Sequence, residues 1–170
     1  MPSSLKKFEA IARALAQLPQ REPATQPALD TAALHPFDSR NIHPGLPTKV
    51  RELFDDGYYP EATFEAFKFL DKTVEKHSGL TDSGYKLMMA AFNEGGPKLP
   101  LTPLKTTSDK DEQQGYKFIF AGGVLAIRNP RGHEHSVVDN PDICLDHLSF
   151  VSLLLRRLEQ AGYKESQQSP

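Results

Sequence analysis

The chain has 170 residues, 38% of them hydrophobic and 25% charged, with 20 Lys and Arg against 22 Asp and Glu. That balance describes a globular domain with a core of its own, and the formal charge of -2 excludes nucleic-acid binding by bulk basicity: any contact with RNA has to use a local patch. The longest apolar runs are too short to span a bilayer. The amino terminus lacks the apolar core of a signal peptide, and the single cysteine, Cys144, excludes an internal disulfide and fits a reducing cytoplasm.

Leu5, Phe8, Ala12, Leu15 and Leu18 recur at helical spacing and predict an amphipathic helix over 4–18. Pro19, Pro23 and Pro27 then mark an extended linker, so residues 1–34 read as a helical arm and its tether. The main domain is expected over 35–164, with a loose tail over 165–170.

After Pro47, a short helix carrying Val50, Leu53 and Phe54 should stop at Gly57. The stretch YYPEATFEAFKFLDKTVEKHSG is the clearest helix: Pro60 suits its first turn, Glu61 complements the dipole and Gly79 closes it. Asp82 or Ser83 is placed to cap a further helix through Leu87, Met88 and Phe92, ending at Gly95-Gly96. Pro97, Pro100 and Pro103 make the next stretch a loop. From Asp109, read as a cap, a helical pattern runs through Tyr116, Ile119, Gly123 and Ile127, although YKFIF alone also fits a strand. Gly122 and Gly123 each cost about 1 kcal/mol against alanine there, which a close neighbouring helix would offset. The last helix should begin at Val137 or Pro141 and reach Leu158 on a broad apolar stripe that includes Leu153. The fold class is therefore all-α, a helical bundle.

Between the last two helices stands AIRNPRGHEH. On an unbroken helix Arg128 and His133, five positions apart, would point roughly 140° away from each other. Pro130 and Gly132 argue for a break that brings His133 round. An arginine fork pairs phosphate oxygens, and histidine moves protons at neutral pH. RNA carries its own 2′-hydroxyl nucleophile, so this pair needs no metal or other cofactor to cut it. One histidine cannot serve both ends of an in-line displacement, and a twofold dimer would supply a second His133; His135 of the same chain is the weaker candidate. The plainer reading of the same residues is a solvated helix junction.

RNPRGH, between GYKFIFAGGVLAI and LDHLSFVSLLLRRLEQAGY, resembles the Arg-x4-His signature of the HEPN superfamily. The order of segments over His43 to Gly162 is similar to the bacterial Ymh-type family. The resemblance implies an HEPN-like helical bundle and a metal-independent endoribonuclease of a toxin, abortive-infection or antiphage-defence kind, in the cytoplasm. Arg128 and His133 would be catalytic with Asn129 orienting, while Arg131 and His135 would bind substrate at the mouth. RNA would be the substrate, the chain a homodimer, and an antitoxin or other defence-system protein a partner. Some HEPN proteins are instead non-catalytic modules that bind nucleotides or proteins. Other groupings have simpler readings. His133, His135, Cys144 and His147 lack a structural-zinc spacing, and His35-Pro36 and His43-Pro44 read as turns. Tyr58 and Tyr59, or Arg156 and Arg157, fit packing and helix-end roles better than base stacking or a phosphate track.

Overall fold

Proline, glycine and side-chain caps divide the chain into helices very much where its apolar periodicity changes phase. The computed structural model describes Glu9 and residues 34–133 and 137–164, so the predicted arm, its linker, His135 and the tail lie outside the described residues. The chain divides into two compact units between Ala33 and Leu34, and the helices that follow belong to the second. Among the described residues there is no strand, and no helix is long and apolar enough to cross a membrane.

Helix α1 is a single turn, Pro36–Ser39, capped by His35, whose Nδ1 accepts the Phe37 N–H at 3.1 Å. Helix α2, Thr48–Asp55, buries Val50 and Phe54 and stops before Gly57, which takes φ 83°, a conformation that favours glycine. Helix α3, Tyr59–Ser78, starts with Pro60 in its first turn and closes on a left-handed Gly79. It is the central element, burying Ala62, Thr63, Ala66, Phe67, Leu70 and Val74.

Helix α4, Gly84–Ala91, has Ser83 at its N-cap, but that side chain makes no capping bond. The cap comes from α3 instead, where Asp71 accepts the Gly84 N–H at 2.8 Å. The helix ends with Phe92 at its C-cap, earlier than Gly95-Gly96. The proline-rich loop that follows is tied down by one side chain. The fully buried Gln113 accepts the Leu101 N–H at 2.7 Å and donates to the carbonyls of Phe92 and Leu99, both at 3.3 Å.

Helix α5, Thr107–Gly123, settles the YKFIF ambiguity in favour of helix. Its cap is Thr106, and Asp109 is the reciprocal partner in a capping box rather than the cap itself. Phe120 stacks on Phe92 with ring centroids 4.4 Å apart. At Gly123 a Cβ would come within 2.6 Å of the Phe150 ring, so this glycine permits the close approach of two helices. The helix then widens into a π turn, Val124–Arg128, and resumes as α6, Asn129–His133. Helix α7, Pro141–Gln160, is capped by Asn140, which accepts the Ile143 N–H at 2.9 Å. It packs on α3, where the Thr63 hydroxyl meets Cys144, and buries Leu148, Val151 and Leu155. Ile119 and Leu153, both expected to join the core stripes, are 42% and 51% exposed.

Candidate functional site

The expected break at Pro130 does not occur. Asn129 keeps helical angles, φ -63° and ψ -44°, and its N–H reaches back five residues to the Val124 carbonyl. A proline ring ordinarily clashes with the carbonyl four residues earlier, and a π turn just before it gives that carbonyl room to move aside. The backbone therefore stays helical from Arg128 to His133, and the two side chains leave it on different faces, roughly 140° apart.

Arg128 ends the π turn and is half-buried. Its guanidinium lies over the Phe64 ring of α3, 5.2 Å from the centroid, and Nη1 donates to Asn129 Oδ1 at 3.3 Å. Nη1 also stands against Gly84 at the start of α4, 3.6 Å from where a Cβ would project. Among the described residues Arg128 forms no ion pair, and its buried Nε has no hydrogen-bond partner. The charge of Arg128 is felt by Asp71 of α3. Burial pushes that carboxyl above its ordinary value, while the Gly84 N–H and then the charge of Arg128 pull it back.

One turn beyond Arg128, Gly132 lies on the same ring: a Cβ there would come 2.7 Å from Phe64 Cε2. Phe64 thus supports both Arg128 and the backbone of α6. His133 is exposed at the end of the described stretch.

Arg131 occupies a different position from the mouth of a site. Its Nε and Nη2 donate to the two carboxylate oxygens of Asp139, each at 2.6 Å, and Nη1 donates to the Ile127 carbonyl at 2.8 Å. With the two side chains 9% and 3% exposed, this pair fastens α6 to the segment leading into α7.

Two groups that feel the charges of that pair are Cys144, which is buried, and His147, which is half-buried. Cys144 receives the Thr63 hydroxyl at 3.6 Å, and burial pushes its thiol up to about 11, which leaves it unreactive at neutral pH. Burial, then the charge of Arg131, holds the His147 imidazole below its ordinary value, and among the described residues its Nδ1 has no hydrogen-bond partner. No group of three or more His, Cys, Asp or Glu side chains placed to hold a metal occurs among the described residues.

The remaining histidine and arginine candidates have structural partners. His35 donates from Nε2 to Asp55 at 2.7 Å, and His43 pairs with Glu159 at 3.2 Å while its Nδ1 accepts the Gly45 N–H. Arg156 donates to the Asn41 carbonyl, and Arg157 to the Leu101 carbonyl and to Glu112. Tyr58 is exposed and Tyr59 packs against Phe54. Sequence reasoning missed Phe64 and Asp71. Only the phase of Phe64, on the α3 face beside Thr63, offered a signal.

The family described as "Protein of unknown function (Hypoth_ymh)" matches residues 40–158, which include every helix from α2 to α6 and nearly all of α7. No curated protein and no solved structure matches the chain.

Proposed function

The chain belongs to the Hypoth_ymh family, and from its site we propose a metal-independent endoribonuclease of HEPN type. The observation that carries this reading is Arg128: a guanidinium fixed on an aromatic ring, without an ion pair among the described residues, and with a vacant donor at Nε. Arg40, Arg131, Arg156 and Arg157 each spend donors on a carboxylate or a carbonyl, and Arg51, the other described arginine, stands over the Phe37 ring. A cation left uncommitted on the helical stretch that also carries an exposed histidine suits a phosphodiester.

In the reaction, His133 accepts the proton of the RNA 2′-hydroxyl as that oxygen attacks phosphorus. Arg128 balances the charge of the phosphorane, with Asn129 orienting the guanidinium. The bond to the 5′-oxygen breaks and that oxygen takes a proton, leaving a 2′,3′-cyclic phosphate and a 5′-hydroxyl. A second copy of the chain supplies the proton donor. The setting that fits is cytoplasmic growth arrest or antiphage defence, under the control of a neutralising partner protein.

The unbroken helix favours a second reading, in which Arg128 and its neighbours only bind a phosphate-bearing ligand, since one helix does not aim both side chains at one point. The deciding experiment incubates labelled single-stranded RNA and tRNA with the protein in EDTA, beside an Arg128→Ala/His133→Ala control. The nuclease reading expects cyclic-phosphate ends from the wild type alone. Binding without cleavage, lost on Arg128→Ala and kept on His133→Ala, would overturn it in favour of the second.

A further inference from the structure

Arg128 and Arg131, three residues apart, are held in opposite ways. Arg131 is gripped directly: Asp139 takes two of its donors and the Ile127 carbonyl a third. Arg128 forms no ion pair among the described residues and meets Asp71 through the start of α4. Asp71, 5% exposed, accepts the Gly84 N–H at 2.8 Å, and Arg128 Nη1 lies 3.6 Å from where a Gly84 Cβ would project. Gly84 takes φ 62°, so a left-handed turn that favours glycine is what the two side chains share.

Helix capping alone does not account for this carboxylate. Ser83 stands at the N-cap and is of a type that caps well, yet its side chain makes no capping bond. The bond comes instead from an acid thirteen residues upstream on another helix. Burying a carboxylate costs more than using the hydroxyl already in place. Burial pushes the Asp71 carboxyl up, and the Gly84 N–H and then Arg128 pull it down, so both groups favour its charged form.

We propose that Asp71 is a positioning residue of the Arg128 site: it fixes the start of α4, and with it the backbone on which the guanidinium rests. Asp71 touches no ligand itself, and this role rests on the reading of Arg128 as the phosphate-binding group. A carboxylate in direct contact would fill the guanidinium fork, as Asp139 fills that of Arg131. Set one peptide away, the acid orients the cation and leaves the fork open to a phosphate.

Asp71→Asn and Asp71→Ala test this, because both remove the charge and only asparagine keeps an acceptor for Gly84. Oligothymidylate is the probe, since it carries phosphodiesters and no 2′-hydroxyl and is bound without being cut. The Ala variant should bind it about fivefold more weakly than the Asn variant, the effect of one lost capping bond. The Nε–H signal of Arg128, assigned by its absence in Arg128→Lys, should exchange with water about tenfold faster in the Ala variant than in the Asn variant. Asp71→Ser, too short to reach Gly84, takes the place of Asp71→Ala if that protein does not fold. Equal exchange in the two variants overturns the proposal whatever their stability, and so does equal binding where the wild type binds. A wild type that binds no oligothymidylate sinks the phosphate reading instead, and the exchange comparison then decides the role of Asp71 alone.

Discussion

Arg131 and Asp139 form a two-pronged ion pair with almost no solvent contact, and it joins the end of one helix to the approach of the next. Removing one member strands the other as a buried charge. Arg131→Ala should therefore lower unfolding free energy by about 3 kcal/mol, whereas Arg131→Met with Asp139→Leu should lose far less. Urea titration of the two variants measures both. An Arg131→Ala protein as stable as wild type would show that the pair is dispensable and return Arg131 to the list of substrate ligands.

The adjacent glycines of α5 should respond to alanine with opposite signs. At Gly123 the new methyl meets Phe150 at 2.6 Å and Phe67 at 3.3 Å, and overpacking should cost about 1–3 kcal/mol. At Gly122 the methyl meets nothing, and the gain in helix propensity should stabilise by about 1 kcal/mol. The comparison is best made by thermal unfolding of the two single variants beside the wild type.

His147 sets a pH dependence. Its folded-state value lies below the ordinary one, because of burial first and the charge of Arg131 second. The unfolded chain thus binds the proton more readily. The stability this residue contributes is complete above about pH 6.5 and is lost as pH falls towards the depressed folded value. Denaturant midpoints collected across that range should decline on acidification, and His147→Leu should flatten the decline. An identical slope in the variant would place the titration elsewhere.

Phe64 should matter to Arg128 more than to the fold. A cation over an aromatic ring contributes about 0.5–1 kcal/mol at such a site, so Phe64→Leu should reduce RNA cleavage or binding about two- to fivefold. Arg128→Lys should do worse, because an ammonium neither stacks nor bonds Asn129 and phosphate as a fork does. Equal effects of the two changes would mean that charge alone matters.

Periodicity and punctuation were enough to find α2, α3, α4, α5 and α7, because each combines an apolar stripe with a proline, glycine or side-chain cap at its ends. Helix α1 escaped because a single turn has no period. The cap of α5 was placed at Asp109 instead of Thr106 since both residue types cap helices, and the box joins them. Ile119 and Leu153 were read as core because the strength of a stripe does not say which neighbours cover it. The polar struts of Asp71 to Gly84, Gln113 to its loop and Arg131 to Asp139 join residues whose partners no local pattern names. Pro130 misled for a related reason: a helix breaker is read against an α-helix, and the turn before it is not one.

That turn holds one residue more than an α-helical repeat needs, and the surplus works as a phase shift between two stretches of one rod. Upstream, the rod shows its greasy side to solvent; downstream, the shift decides which way Arg128, Gly132 and His133 face. Regularising the turn at its present length would rotate Gly132 off Phe64 by about 100°, and the motif, complete in sequence, would be out of register with the ring that holds it; deleting Ala126 would restore the regular repeat and leave Gly132 on the ring. In this chain, spacing along the sequence and direction in space are set independently, by a single inserted residue.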